Sequence, residues 1–210
     1  MERAPVPEHR VARRGTPVSS ASWERVAPLA PLRLSGGHGR PIQDTVVRVA
    51  QDAEALHVRF DCEDRDAWAT RTERDAALWE EEVVELFLAP GSRDPARYFE
   101  FEVNPLGALF DAAVHCPEGR RETMRVDARW DCPGLRWGAA VEPSGARWTA
   151  WLAVPWAAVS GASRVPDVWR ANFYRIDRPP GAPAEFSAWS PTWADPPDFH
   201  RPACFGLLRL

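Results

Sequence analysis

The chain lacks the usual signatures of catalysis. Its 210 residues contain no lysine, so all 26 Lys and Arg positions are arginine. No pair among its four cysteines has CxxC spacing, which leaves zinc binding and dithiol redox chemistry without a signature. There is no GxSxG, GxGxxG, P-loop or HExxH motif, and the five histidines share no metal-ligand spacing. The sequence therefore predicts a protein that is not an enzyme.

Charge and hydropathy argue against two classes of partner. The formal net charge is -4, so no basic surplus exists to neutralise nucleic-acid phosphates. No apolar stretch is long enough to span a bilayer. Residues 1–14 carry charges and prolines where a signal peptide would have an apolar run. We therefore expect a monomer that binds neither nucleic acid nor membrane. It should be cytoplasmic, or secreted if the protein begins upstream of Met1.

Short strands dominate the chain. It contains 21 prolines, which break helices and mark turns and edge strands. Residues 1–20 lack periodicity and are predicted to form a flexible tail, with residues 21–210 as a single domain. Within that domain, about ten segments alternate apolar and polar residues, and only Pro155–Ser160 is typical of a helix. This pattern predicts an all-β, two-sheet antiparallel sandwich (jelly-roll or immunoglobulin-like) with at most one or two short helices.

Acidic residues supply two candidate sites. Glu85 lies between apolar neighbours on its strand face, so its carboxylate needs hydrogen-bond partners. Sugar hydroxyls and a nearby arginine such as Arg175 both remain open as those partners. Separately, Asp61, Glu63 and Asp64 end a predicted strand and could hold calcium, although they lack the spacing of an EF-hand loop. A polar loop without metal remains the alternative for this run.

The 11 tryptophans fall into two groups. Trp148 and Trp169 alternate with apolar residues along their strands and are predicted to fill the core. Trp79 and Trp189 lie outside such apolar stripes, which is harder to explain by packing. Two indoles facing each other could hold a pyranose ring, because its C–H groups pack on apolar walls while a few polar groups orient the hydroxyls.

Five segments carry a resemblance to a known family. They are Leu78–Leu88, Tyr98–Pro105, Trp169–Ile176 and Ala188–Thr192, followed by Phe199–Pro202 with Phe205 and Gly206. In this order they resemble the family 9 carbohydrate-binding modules, within the DOMON-like group of sandwiches. The resemblance implies non-catalytic binding of a mono- or oligosaccharide whose terminal unit is held between two tryptophans. It also implies possible calcium sites and an association with carbohydrate catabolism through glycoside hydrolysis.

The resemblance also assigns the candidate ligand-binding residues. Trp79 and Trp189 match the two aromatic walls, Glu85 matches an acidic contact, and Asn104 and Arg175 match polar contacts. Two other functions remain as alternatives. One is a haem-binding, electron-transfer DOMON domain, for which Met124 is the methionine outside the N-terminal tail. The other is a structural or interaction domain with no ligand.

Overall fold

The alternating segments form short strands in the computed structural model, which describes residues 5–14, 20–162 and 164–210. The strands are β1 (Glu8–Arg10), β2 (Ala12–Arg13), β3 (Arg33–Leu34), β4 (Thr45–Gln51), β5 (Ala55–Glu63), β6 (Val83–Pro90), β7 (Arg97–Val103), β8 (Leu109–His115), β9 (Arg125–Asp127), β10 (Arg136–Val141), β11 (Arg147–Pro155), β12 (Val168–Asp177), β13 (Glu185–Ala188) and β14 (Gly206–Arg209). In the described residues a single α-helix, α1 (Trp156–Val159), follows β11. Four 3-10 segments cover Ser20–Arg25, Leu78–Glu80, Arg121–Thr123 and Pro202–Cys204.

These strands pair into two sheets. The larger sheet has nine strands in the order β1-β14-β12-β6-β7-β8-β9, with β13 paired to β12 and β3 paired to β13. The smaller sheet has five strands in the order β10-β11-β5-β4-β2. Every pairing is antiparallel except β1 with β14 and β2 with β4, which are parallel. The predicted all-β sandwich of two sheets, with at most one or two short helices, is therefore confirmed.

The main core lies between the sheets. Phe60 of the smaller sheet meets Phe173 of the larger one, with ring centroids 6.2 Å apart. Trp148 and Trp169 are both 0% exposed and belong to the same apolar cluster, as their alternation predicts. Cys62 joins this cluster as well, and all four cysteines are free thiols. Burial of these large side chains stabilises the sandwich.

A second apolar cluster covers the opposite, outward face of the larger sheet. Its centre is Phe87 of β6, whose ring centroid lies 5.0 Å from that of Tyr174 and 5.5 Å from that of Tyr98. Loop residues, including Phe199, complete this cluster. The larger sheet is therefore buried on both faces, and polar side chains on its outward face lie in apolar surroundings.

The N-terminal segment corrects one prediction. Residues 1–20 were expected to be an unpacked tail, but β1 pairs with β14 in the larger sheet and β2 pairs with β4 in the smaller one. Val11, between them, is 4% exposed and belongs to the inter-sheet core. The segment contributes edge strands to both sheets, and such short strands show no periodicity of their own. Residues 1–4 and 15–19 lie outside the described residues.

No helix in the described parts of the chain is long and apolar enough to cross a membrane.

Candidate functional site

Three carboxylates meet on the outward face of the larger sheet. Glu85 of β6 lies directly opposite Glu102 of β7, and directly opposed residues of an antiparallel pair share a face. Glu100 precedes Glu102 by two residues, so it shares that face too. Oxygen atoms of the three groups lie within 4.8 Å of one another, and the residues are only 1 to 4% exposed. We call Glu85, Glu100 and Glu102 the carboxylate trio.

Burial dominates the electrostatics of the trio. It raises the pKa of Glu100 to about 7. It raises the pKa of Glu85 and of Glu102 well above the ordinary value, and the mutual repulsion of the carboxylates adds to both shifts. Glu100 and Glu102 also hydrogen bond to each other, which requires a proton between the two carboxyl groups. The trio is therefore partly protonated near neutral pH.

No strong cation compensates these carboxylates. In the described residues the one ion-pair partner of the trio is His200, whose Nε2 lies 3.8 Å from Glu100 Oε1. Burial lowers the pKa of His200 to about 4, so its imidazole is neutral at neutral pH. Among the described residues, the trio therefore has no permanent cation in direct contact, and the charge of Arg121 lowers the pKa of Glu100 only from a distance.

Trp79 lies at the edge of the trio. Its 3-10 segment, Leu78–Glu80, is anchored by Leu78, which is 0% exposed in the outward cluster. The indole itself is 42% exposed and packs edge-on against Phe110, with ring centroids 5.3 Å apart. Phe110 is directly opposite Glu102 in the β7–β8 pair. The Trp79 backbone N–H also hydrogen bonds to Glu102, which lowers the pKa of Glu102 against the effect of burial. An open aromatic surface therefore adjoins buried carboxylates.

The other side of the trio is fixed by aromatic stacking. Tyr174 lies directly opposite Glu85 and stacks on Phe199, with ring centroids 4.1 Å apart and planes at 15°. The Tyr174 hydroxyl donates to the Phe199 carbonyl at 3.0 Å. His200 follows Phe199 and lies over Phe87, with ring centroids 5.0 Å apart. These contacts hold the 199–200 segment beside the trio.

Asn104 directly follows β7, the strand that carries Glu100 and Glu102, but its side chain shapes the turn after that strand. Its Oδ1 accepts from the backbone N–H groups of Leu106 and Ala108 at 3.1 and 2.9 Å. Its Nδ2 donates to the Arg71 carbonyl at 2.8 Å. The residue is 0% exposed. These bonds give Asn104 a structural role and leave it little capacity to contact a ligand.

Arg175 lies away from the trio. It follows Tyr174 on β12, so its side chain points to the opposite, inner face of the sheet. There Nη2 lies 2.7 Å from Asp64 Oδ2, and Nη1 donates to the Glu63 carbonyl at 2.7 Å. The arginine considered as a partner of Glu85 is therefore engaged elsewhere.

Trp189 is a core residue, which corrects the predicted pairing with Trp79. Its backbone N–H bonds to the Phe173 carbonyl, and the two rings meet on the inner face with centroids 5.7 Å apart. The indole is 3% exposed and belongs to the inter-sheet cluster. A Cβ added at Gly206 would lie 2.3 Å from it, which shows how tightly it packs on the backbone. The two tryptophans therefore do not form the walls of one open slot.

The three residues expected to hold calcium are not brought together. Asp61 pairs with Arg48 and Arg59 at 2.8 and 2.7 Å. Glu63 pairs with Arg147 at 2.5 Å. Asp64 is 1% exposed and points inward, where it also accepts from the indole of Trp148 at 3.0 Å. Successive strand residues face opposite ways, so Asp64 separates from the other two.

Asp64 instead joins a different acidic group. Oxygens of Asp64, Glu82 and Asp177 lie within 4.8 Å of one another, and all three residues are buried. Burial, together with Asp64, raises the pKa of Glu82 to about 9. Glu82 Oε1 and Asp177 Oδ1 have no hydrogen-bond partner, while Arg175 supplies a positive charge. This group has the oxygen donors that calcium prefers.

Two open clefts adjoin Trp193 rather than Trp79. Their volumes are about 1060 and 940 Å³, and Trp193 lines both. The larger one is also lined by Trp189 and by three arginines, Arg33, Arg40 and Arg201. Trp193 is 54% exposed and has a φ of 58°, unusual for a bulky residue. Neither cleft contains a member of the carboxylate trio.

Sequence reasoning singled out Glu85 and Trp79 as candidates but did not predict which residues lie beside them. Glu100 and Glu102 alternate with apolar residues along β7, a signal that puts them on one face. What the sequence did not show is which face of β7 would align with Glu85. Phe110 and His200 carry no local signal, because only tertiary pairing places them beside the trio.

The fold resembles solved structures of sugar-binding modules. A candidate carbohydrate-binding protein from Bacteroides uniformis matches with a TM-score of 0.75 at 20% identity, covering 97% of this chain and 99% of that one. A family 9 carbohydrate-binding module from Caldicellulosiruptor kristjanssonii in complex with cellotriose gives 0.62 at 14% identity, covering 96% and 93%. The complex of a family 9 module from that organism with glucose gives 0.64 at 15% identity, covering 97% and 95%. At these identities the likeness shows the fold.

A curated protein is similar in sequence to part of this chain. It is an extracellular protein from Arthroderma benhamiae, 25% identical over 143 residues, which are 65% of this chain. The match spans 64% of that relative's length. The model of carbohydrate-binding family 9 matches residues 41–210, well over half of the chain. On this match, the chain belongs to carbohydrate-binding family 9, a family of non-catalytic binding modules.

Proposed function

We propose that this protein binds a sugar on the outward face of the larger sheet, with one pyranose ring against Trp79 and its hydroxyls directed to the carboxylate trio. The observation that carries the proposal is the exposed Trp79 indole beside three buried carboxylates. An aromatic face packs against sugar C–H groups, and carboxyl oxygens accept from hydroxyls. Membership of family 9 supports the same ligand class.

In this proposal Trp79 supplies the aromatic contact, and Trp189 does not contact the sugar. Trp189 would have to leave the inter-sheet core to face Trp79 across a ligand, which would cost its packing against Phe173. A single indole accommodates one sugar ring. We therefore propose that a terminal unit is bound, and that glucose and cellotriose, the ligands of the C. kristjanssonii modules, are suitable first probes.

The proposal is tested by calorimetric titration of glucose and cellotriose into three tryptophan variants. Trp79→Ala should weaken binding by roughly thirtyfold, because a truncated anchor commonly costs on the order of 2 kcal/mol. Trp151→Ala is the matched control, since Trp151 is similarly exposed at 41% but lies on the smaller sheet. Loss of binding in Trp193→Ala with Trp79→Ala unaffected would instead locate the sugar in the clefts beside Trp193.

We also propose that calcium, if bound, uses Asp64, Glu82 and Asp177 in place of the set Asp61, Glu63 and Asp64. The three carboxylates and two unpartnered oxygens fit an oxygen-seeking cation. Calcium would neutralise the negative charge of these carboxylates, which Arg175 balances only in part. Anything that binds only the native state raises the melting temperature. We expect calcium to raise it in chelator-treated wild type and not in Glu82→Gln; no change in the wild type would exclude this site.

A further inference from the structure

The larger of the two clefts beside Trp193 is positively charged, although the net charge of the protein is -4. The cleft has a volume of about 1060 Å³, and Arg33, Arg40 and Arg201 line it. None of the described residues that line it is acidic. A cleft whose walls carry charge of one sign concentrates ligands of the opposite sign. The cleft therefore favours an anionic ligand.

Protein carboxylates compensate little of this positive charge. Arg33 and Arg40 are exposed, and neither forms an ion pair with another described residue. Arg201 lies 3.0 Å from Asp198, but Arg121 also pairs with that carboxylate at 3.0 Å. One negative charge is thus shared by two guanidinium groups. Guanidinium groups that line a cleft can bind a carboxylate through two parallel hydrogen bonds.

Trp193 supplies an aromatic surface that the backbone holds in place. Its indole is 54% exposed, and its φ of 58° costs free energy for a residue with a bulky side chain. The Trp193 backbone N–H donates to the Ser35 carbonyl at 2.9 Å. The indole packs directly on the backbone of Gly37, where an added Cβ would overlap the ring. Strained residues of this kind cluster at binding sites, and this one fixes an exposed ring at the cleft.

The wall of the cleft also contains a buried donor that has no acceptor. Trp189 lines the cleft and is 3% exposed, and its Nε1–H forms no hydrogen bond with another described residue. Buried polar groups are nearly always paired, so an unpaired one needs an explanation. An acceptor oxygen of a molecule bound in the cleft would provide the missing partner.

We propose that the cleft beside Trp193 is a second binding site, which takes an acidic sugar with its ring against the Trp193 indole and its carboxylate bound by the arginines of the cleft. The ligand class is a uronic acid, a sugar whose C6 is a carboxylate. The aromatic wall packs against sugar C–H groups, while the arginines select the anion. Membership of family 9 favours a saccharide over an acidic peptide. The inference goes beyond the proposed function, because neither Trp79 nor the carboxylate trio takes part.

The experiment is titration calorimetry at pH 7 with methyl β-D-glucuronide, methyl β-D-glucoside and sodium acetate. The two glycosides share one ring and differ in the carboxylate. Each is titrated into the wild type and into Trp79→Ala, which removes the proposed site for neutral sugars and does not alter the lining of the cleft. In Trp79→Ala we expect the glucuronide to bind at least about tenfold more tightly than the glucoside, and to weaken as sodium chloride is added.

Two results of these titrations would overturn the inference. Equal binding of the two glycosides to Trp79→Ala would show that the cleft does not select a carboxylate. Acetate that binds as tightly as the glucuronide would show an adventitious ion only. In either case, glucoside binding that is present in the wild type and lost in Trp79→Ala would leave the proposed function standing.

Substitutions assign the binding to the cleft. The double variant Arg33→Gln/Arg40→Gln should lower the affinity for the glucuronide about tenfold or more and change that for the glucoside less than about threefold. Arg136→Gln is the matched control, because it removes an exposed arginine from β10 of the smaller sheet and should alter neither. Trp193→Ala should weaken glucuronide binding roughly thirtyfold. If Trp193→Ala does not fold, the arginine variants decide, since they change only exposed side chains.

Unchanged glucuronide binding in the double variant would contradict the inference. A triglutamate peptide is the final arm, because it carries carboxylates without a sugar ring. Displacement of the glucuronide by this peptide at lower concentration would make the cleft a peptide site and would equally contradict the inference.

Discussion

At the residue scale, the direction in which a tryptophan side chain points decides whether it packs in the core or faces outward. Trp148 and Trp151 are on the same strand, three residues apart, yet their exposures are 0 and 41%. Strand residues that differ by an odd number face opposite sides of the sheet. Trp148 therefore packs between the sheets and donates its indole N–H to Asp64, whereas Trp151 faces outward from the smaller sheet.

This contrast predicts different stability effects for two matched substitutions. Trp148→Ala should lower the free energy of unfolding by about 3–5 kcal/mol, because it leaves a large cavity in the core. Trp151→Ala should change it by less than about 1 kcal/mol, since it removes an exposed side chain. Urea denaturation monitored by circular dichroism measures both. Equal losses in the two variants would mean that the sheet faces are assigned incorrectly.

The sequence could predict the role of Trp148 but not that of Trp189. Trp148 has apolar neighbours at every second position, so its stripe indicates the core without any knowledge of the fold. Trp189 follows the four-residue strand β13 and lies two residues before Pro191, so no stripe extends through it. Its burial depends on the pairing of β13 with β12, a tertiary contact that local pattern does not report.

At the element scale, the antiparallel pairing of β6 with β7 creates the carboxylate trio. By itself, β6 carries one acidic residue, Glu85, and β7 carries Glu100 and Glu102 at alternate positions, which is ordinary for a half-exposed strand. The observed register places Glu85 opposite Glu102 on a face that the second apolar cluster covers. A shift of one residue in this register would send these side chains to the other face.

This arrangement predicts that the protein loses stability as pH rises. Burial raises the pKa of Glu100 from 4.5 to about 7, so the folded state binds more protons than the unfolded state between these values. The stabilising contribution of protonation is complete below the unfolded pKa and is lost as pH rises through about 7. We expect the melting temperature to fall by a few degrees between pH 5 and pH 8. Differential scanning calorimetry across this range measures the effect.

Glu100→Gln is the control for that prediction. Glutamine does not titrate, so the variant should show a shallower dependence on pH than the wild type. His200 acts in the opposite sense, because burial lowers its pKa from 6.5 to about 4 and its stabilising contribution is lost as pH falls. The difference between variant and wild type therefore isolates the contribution of Glu100. Parallel pH profiles would show that burial of Glu100 is not the cause.

The strands themselves were predictable, whereas their alignment was not. The alternation in β5, β7 and β11 shows which residues share a face, and the structure confirms those faces. Alternation does not determine which strand lies beside which, because it is local, while pairing joins residues far apart in the chain. For that reason Glu85 could be singled out, but its meeting with Glu100 and Glu102 could not.

At the scale of the whole molecule, the N-terminal segment joins the two sheets. β1 extends the larger sheet, β2 extends the smaller one, and Val11 between them is buried in the shared core. Sequence pattern could not predict this, since strands of three and two residues are too short to show periodicity. The segment stabilises the sandwich by covering part of its core.

Val11→Ala tests this role. Removing two buried methyl groups should lower the free energy of unfolding by about 2 kcal/mol. Val46→Ala is the control, because Val46 is 37% exposed on β4 and its truncation should cost less than about 0.5 kcal/mol. Chemical denaturation compares the two variants. If Val11→Ala proves as neutral as the control, residues 8–13 do not pack as described.

The location of the bound sugar is the claim on which the functional account depends. A crystal structure of the protein soaked with glucose, and in parallel with cellotriose, tests it most directly. The account predicts ligand density against the Trp79 indole, with polar atoms directed to Glu85 and Glu102, and with Trp189 still packed on Phe173. Density confined to the clefts beside Trp193, with the Trp79 surface empty in both soaks, would contradict it.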